Sequence, residues 1–235
     1  MVIPSPIIVA LDLATAEEAV RMAKAVSPHV GGFKIGLGLL HGPGPATIAA
    51  LAELDRPVFA DAKLHDIPSQ VEMAAERLGH WGARWVTAHL SGGPTMIEAA
   101  AAGLARGSAG TAGILGVSVL TSLDDAALAA VGIPVTPGKL VSRMARVAQR
   151  AGCEGIVCSP RELNIVADVA PDLVKVTPGI RPAAAAPVSD DQARVATPEQ
   201  AIAHGATYLV VGRPITQASD PAAAAHAITA AVAGD

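Results

Sequence analysis

The sequence predicts an α/β fold, a (β/α)8 TIM barrel, as a single domain over residues 1–235. Three observations predict it. Eight short runs rich in Val, Ile and Leu recur along the chain. Most are nearly continuously apolar, as expected for strands covered on both faces. Segments of helical character separate them, and strand then helix repeated eight times is the barrel pattern. A doubly wound open sheet shares the alternation, but the count of eight favours the barrel. Hydrophobic residues make up 51% of the chain and aromatics 2%, so a large core must be built from Val, Ile, Leu and Ala.

The elements follow in order. IIVALD (7–12) is the first strand. Thr15 then caps a helix with Glu17 and Glu18 in its first turn, followed by AVRMAKAV. GGFKIG (31–36) is the second strand and PVFADAK (57–63) the third. Pro68 opens the next helix, where a first-turn proline loses no hydrogen bond. WVTAHL (85–90) is the fourth strand, and Pro94 opens the helix after it. GILGVSVL (113–120) is the fifth, followed by an amphipathic stretch from Gly138 to Ala151. GIVCSP (155–160) and DLVKVTPG (172–179) are the sixth and seventh. In RPAAAAP (181–187) the alanines favour helix but Pro182 and Pro187 bracket them, so a mobile loop to about Asp191 is expected. Thr197-Pro198-Glu199 starts a further helix, YLVVGRP (208–214) is the eighth strand, and Asp220-Pro221 opens the last helix.

Several classes are disfavoured. Net charge is −4 with no basic tail, against a nucleic-acid partner. No apolar run reaches transmembrane length, and MVIPSPIIVALD lacks a basic leader and a cleavage pattern. No membrane partner and a cytoplasmic location are expected. Cys153 and Cys158 make neither a disulfide framework nor a zinc site and read as buried small groups. Trp81 and Trp85 read as core, and His65 and His89 as packing or hydrogen-bonding residues.

A barrel places its site at the C-terminal ends of the strands. Collected there are Asp12, Lys34, Asp61, Lys63, His89, Thr121, Ser122, Thr177, Pro178, Gly179, Arg181, Gly212 and Arg213. Asp61 and Lys63 are two apart, so on a strand both face the barrel interior, with Asp66 beyond on the loop. One such pair could be a structural ion pair. Asp12, Lys34, Asp61, Lys63 and Asp66 together point to a functional site, because clustered charge in a low-dielectric rim is costly unless used. The loops after strands seven and eight are common phosphate sites. Here they are TPGIRP and VGRPIT, where Gly179 and Gly212 allow close backbone approach and Arg181 and Arg213 offer paired donors. Helix capping or surface exposure is the plain alternative for the two arginines. A phosphorylated ligand is expected.

Asp61-Ala62-Lys63-Leu64-His65-Asp66-Ile67-Pro68, with VTPGIRP and VVGRPIT, resembles the orotidine 5′-phosphate decarboxylase family. IIVALD, the lysine of GFKIG, HLSGG, Leu-Thr-Ser after strand five, GIVCSP, DDQ-x-RV and the final SDP fall in the family's order, over nearly the whole chain. The D-x-K-x-x-D core is shared with sugar-phosphate decarboxylases of the same superfamily; the Asp-Ile-Pro extension and the PGIRP, DDQ and GRPIT set are more specific. The resemblance implies decarboxylation of orotidine 5′-monophosphate to UMP and CO2, the last step of pyrimidine biosynthesis. It implies no metal and no cofactor, and a homodimer with shared active sites. By motif, Asp12 and Lys34 hold the ribose hydroxyls and order the charges, while Asp61 and Lys63 act at the reacting carbon. Asp66 and Ile67 come from the partner subunit. Thr121 and Ser122 lie by the pyrimidine. Gln192, Gly212 and Arg213 grip the phosphate, with Arg181 at the loop base and Pro178 also at the substrate.

Three positions depart from the family's common pattern. Ala62 stands for Leu, Ser69-Gln70 for Asn-Thr, and HLSGG for HASGG. The family's threonine reaches the ribose across the dimer, so Gln70 is the candidate for that contact. Leu90 needs extra room.

The chemistry explains the residue types. Loss of CO2 leaves electron density on a ring carbon, and a lysine ammonium attracts that charge and can deliver a proton. At an effective dielectric of 20, charges 4 Å apart interact by roughly 4 kcal/mol, about three decades in rate. Flanking carboxylates hold the lysine charged in a dry pocket. Binding of the remote phosphate can drive loop closure. Two alternatives share these features: a Mg2+-dependent keto-sugar-phosphate decarboxylase or hexulose-phosphate synthase, and a nucleotide-binding barrel without turnover.

Overall fold

Each apolar run becomes a strand, and every strand lies parallel to two neighbours. The computed structural model of the chain describes residues 5–182 and 196–233. The chain starts with β1 (Ile7–Ala10), α1 (Ala16–Val26), β2 (Gly32–Ile35), α2 (Leu37–His41) and α3 (Ala46–Ala52). It continues through β3 (Val58–Leu64), α4 (Pro68–His80), β4 (Trp85–His89), α5 (Pro94–Gly107) and β5 (Gly113–Val117). Then come α6 (Asp125–Ala130), α7 (Pro137–Arg150), β6 (Gly155–Val157), α8 (Leu163–Val169) and β7 (Val174–Thr177). The last elements are α9 (Pro198–Ala203), β8 (Tyr208–Val211), α10 (Arg213–Thr216) and α11 (Pro221–Ala233). The strands follow chain order around a closed barrel, and β1 meets β8 with Ile8 beside Val210.

Period-two alternation separates two cores. Ile8, Ala10, Phe59, Trp85, Leu115, Val176 and Val210 fill the barrel. The intervening residues, such as Ile7, Val9, Phe33, Ile35, Val58 and Ala60, pack with the helices. Both strand faces are therefore apolar, which is why the runs read as continuous. The N-terminal end of the barrel is filled by a polar cluster. Glu154 accepts two hydrogen bonds of 2.7 Å from Arg84 and one of 2.8 Å from Trp85 Nε1, and Tyr208 packs on the Trp85 ring at 5.1 Å.

Caps expected from the sequence form. Thr15 accepts from the Glu18 amide at 3.2 Å, Thr197 and Gln200 make a capping box, and Asp220 accepts from the Ala223 amide at 3.0 Å. Helices α4 and α5 lie unusually close. A Cβ added to Gly103 or Gly107 would stand 2.1 or 2.0 Å from the carbonyl oxygen of Glu72 or Glu76. Arg106 ties the pair at 2.8 Å to Glu72 and 3.0 Å to Glu76.

Some expectations need correction. The sixth and seventh strands, Gly155–Val157 and Val174–Thr177, are shorter than the runs 155–160 and 172–179. The fifth strand ends at Val117 rather than Leu120: Ser118 holds the Val157 carbonyl through its amide at 3.2 Å and its hydroxyl at 2.7 Å, and the chain leaves the ladder after it. Trp81 is 40% exposed rather than core. The buried face of α4 runs through Val71, Ala75, Leu78 and Gly79, and Trp81 lies past it at the C-cap. Trp85 is core as expected. Among the described residues, no helix is long and apolar enough to cross a membrane.

Candidate active site

At the C-terminal ends of the strands a cavity of about 340 Å³ opens above the barrel core. Ala10, Phe59, Val117, Val157 and Val210 give it an apolar lining. Into it project Asp12, just past the end of β1, Lys34 of β2, and Asp61 and Lys63 of β3.

These four side chains alternate in sign along a line of contacts. Lys34 Nζ lies 3.0 Å from Asp12 Oδ1 and 3.7 Å from Asp61 Oδ2, and Asp61 Oδ1 accepts from Lys63 Nζ. Gly36 keeps the space open: a Cβ there would come 3.0 Å from Asp12 Oδ1 and 3.2 Å from Lys34 Nζ. Asp12 is 64% exposed at its side chain while Asp61 is 14% exposed, so Asp61 is the electrostatic centre. Burial pushes the Asp61 pKa up. The Lys34 and Lys63 charges and hydrogen bonds from Lys63 and Thr87 outweigh that and hold the carboxyl below its ordinary value.

Asp61 and Lys63 both reach the cavity, as the two-residue spacing predicts, but not along a regular strand. Lys63 has φ 51°, in the left-handed region, and the β3–β4 register shifts between Ala60 and Leu64. The Lys63 amide leaves the ladder and donates instead to Thr87 Oγ1 at 2.9 Å.

The phosphate-loop residues Pro178, Gly179, Arg181, Gly212 and Arg213 line the same cavity. Gly179 has φ 78°, which suits glycine. The Arg181 amide donates to the Ala196 carbonyl at 3.0 Å and the Ala196 amide to Gly179 at 3.2 Å, joining the two ends of this loop. Gln192 and most of the loop expected to be mobile lie in 183–195, outside the described residues.

Not all predicted residues converge. Thr121 lines the cavity, but Ser122 is exposed and does not. Asp66, Ile67 and Gln70 are exposed at and just after the β3–α4 connection and do not line this cavity. Asp66 Oδ1 accepts from the Ile67 amide at 2.6 Å, and the Ile67 side chain is 62% exposed. Sequence reasoning missed Thr87, which donates to Asp61 Oδ1 at 3.0 Å. Its signal was a polar residue at an inward position between Trp85 and His89. Ser159 and Cys158 also line the cavity unforeseen. The Ser159 hydroxyl is engaged by Glu162 in a capping box.

The histidines and cysteines take supporting places. His65 and His89 stack with ring centroids 5.4 Å apart. Burial, then the neighbouring His65 and Lys63, pushes the His89 pKa down, with Asp61 opposing. Burial pushes the thiols of Cys153 and Cys158 up to about 12. Both are free. Leu90 is buried against Gly116, where an added Cβ would lie 2.7 Å from Leu90 Cδ2. That glycine supplies the room the larger residue needs. Among the described residues, no group of three or more His, Cys, Asp or Glu is placed to hold a metal ion.

A parallel eight-stranded barrel with alternating acids and ammoniums at its C-terminal mouth defines the class: a (β/α)8 barrel enzyme acting on a small molecule. The chain belongs to the Orotidine 5'-phosphate decarboxylase / HUMPS family, whose model matches residues 5–228. It is 51% identical over 222 residues to an orotidine 5'-phosphate decarboxylase of Anaeromyxobacter sp. (strain K), covering 94% of this chain and 95% of that one. It is 47% identical over 228 residues to one of Thermobifida fusca (strain YX), covering 96% and 95%. The crystal structure of orotidine 5'-phosphate decarboxylase from Lactobacillus acidophilus superposes with TM-score 0.85 at 35% identity, covering 97% of this chain and 99% of the other.

Proposed function

We propose that this enzyme decarboxylates orotidine 5′-monophosphate to UMP and CO2 in pyrimidine biosynthesis. The observation that carries the reading is the Asp12–Lys34–Asp61–Lys63 array at the mouth of an apolar cavity, in a chain similar to decarboxylases over nearly its full length. Lys63 faces the carbon that loses CO2, attracts its developing charge and delivers the replacing proton. Asp61 holds the Lys63 ammonium in place, and Lys34 links it to Asp12, where the ribose hydroxyls bind. Thr121 and Pro178 stand beside the base, with Arg181, Gly212 and Arg213 on the phosphate. Ser122 and Gln192 complete the base and phosphate contacts of this reading. An anion bound by two arginines far from the reacting carbon supplies binding energy for orienting the ring.

The active form in this reading is a cytoplasmic homodimer. Asp66, Ile67 and Gln70 are exposed outside their own cavity, consistent with service to the partner's site. The work of a metal or cofactor falls to ammonium groups. Lys34 stands between Asp12 and Asp61, where a divalent ion bridging them would have to sit.

The test follows the loss of orotate ultraviolet absorbance from orotidine 5′-monophosphate in EDTA, beside keto-sugar phosphates with Mg2+. Turnover of the nucleotide in EDTA is expected. Turnover confined to a sugar phosphate with Mg2+ would replace this reading, and UMP binding without turnover would make the chain a silent barrel.

A further inference from the structure

We propose that Thr87 is a positioning residue for the decarboxylation, its single hydroxyl fixing both the Asp61 carboxylate and the backbone of Lys63. The proposal rests on the reading of the site above.

Thr87 lies in the middle of β4 and is fully buried. Its Oγ1 donates to Asp61 Oδ1 at 3.0 Å and accepts from the Lys63 amide at 2.9 Å. A threonine hydroxyl has one proton to give and two lone pairs. Here the proton goes to the acid and a lone pair takes the amide. Both partners lie on the neighbouring strand, two residues apart. The hydroxyl is therefore a third point of attachment for the Asp61–Lys63 ion pair.

The geometry explains why one is needed. Lys63 is a non-glycine residue at φ 51°. Such a conformation persists only where its surroundings hold it. The β3–β4 ladder that would normally hold the strand shifts register between Ala60 and Leu64. Within that shift the Lys63 amide donates to Thr87 Oγ1. The Lys63 side chain springs from this left-handed backbone, so the hydroxyl that holds the backbone also fixes the base from which the ammonium reaches the cavity. Burial keeps water from substituting for the hydroxyl, and the β-branch limits Thr87 to few rotamers.

The experiment compares wild type, Thr87→Val and Thr87→Ser in kcat, UMP affinity and hydrogen exchange of the Lys63 amide. Val keeps the shape and removes the hydroxyl; Ser keeps the hydroxyl. The expected result for Thr87→Val is a kcat lower by about 100-fold, the scale of a misplacement near 1 Å. Its UMP affinity stays near wild type and its Lys63 amide exchanges faster. Thr87→Ser recovers most of kcat and the slow exchange. Unchanged kcat in Thr87→Val overturns the proposal, as does failure of Ser to restore a lost kcat, or parallel loss of kcat and UMP affinity. If Thr87→Val does not fold, Thr87→Cys, of similar size and a weak hydrogen-bonder, is judged by the same criteria. If the wild type does not turn over orotidine 5′-monophosphate, the functional reading fails. Faster Lys63 exchange in Thr87→Val then still upholds the hold on Lys63, and unchanged exchange overturns it.

Discussion

Leu90 and Gly116 should behave as one packing unit. Leu90 follows β4, is 3% exposed, and lays its branched tip over the bare backbone of Gly116 on β5. A Cβ on Gly116 would come within 2.7, 2.9 and 3.0 Å of three Leu90 carbons. All three contacts are well inside van der Waals separation, against the optimum near 3.5–4.0 Å. Leu90→Ala empties a buried site, and truncation of a core leucine costs about 2–5 kcal/mol. Gly116→Ala forces the leucine tip aside, an overpacking cost of about 1–3 kcal/mol, offset by about 0.5–1 kcal/mol from removing a strand glycine. In the double variant the new methyl enters the space the leucine left. It should therefore be more stable than the sum of the singles by about 1–3 kcal/mol. Urea unfolding of all four proteins at one protein concentration measures this, provided m stays constant. Additivity within about 0.5 kcal/mol would refute the claim that Gly116 makes room for Leu90.

Three further outcomes are expected. Gly103→Ala places a carbon 2.1 Å from the Glu72 carbonyl oxygen, backbone that cannot step aside, so the α4–α5 contact opens; a loss of at least about 3 kcal/mol in urea unfolding is expected, the upper end of ordinary overpacking. The folded-state pKa of His89 lies below its ordinary 6.5, so below about pH 6.5 the unfolded chain takes the proton first and stability falls with pH until the folded pKa is passed; His89→Asn should flatten unfolding midpoints between about pH 7.5 and 5.5, and an unchanged slope would remove His89 as the cause. Ile67→Glu puts a charge on an apolar residue that is 62% exposed; for the proposed homodimer, sedimentation should show association weakened by at least tenfold, about 1.4 kcal/mol, and unaltered association would place the interface elsewhere.

Much of the fold was legible because burial on both strand faces leaves continuous apolar runs, and all eight became strands of one closed barrel. The short helices α2, α3, α6, α8 and α10 are four to seven residues long. Too few turns exist there for a period to declare itself. At the site, the charged members were legible because carboxylates and lysines at strand ends break the apolar pattern. Thr87 was less so: its inward position in β4 is a signal, but a lone threonine is at home in any strand and its importance comes from the register shift opposite. The left-handed Lys63 was equally hidden, since period two places its side chain inward with or without the distortion. Trp81 misled because size favours burial, whereas its place beyond the last turn of α4 decides exposure.

In the proposed reaction the Lys63 ammonium, held by Asp61, carries the chemistry. The most direct test is single-turnover decarboxylation of orotidine 5′-monophosphate by wild type and Lys63→Ala, with UMP affinity measured on the same samples. Removing a charge interaction of roughly 4 kcal/mol predicts a loss of at least about 1,000-fold in rate, with UMP still bound. Lys63→Ala turning over within about tenfold of wild type would mean that another group carries the chemistry.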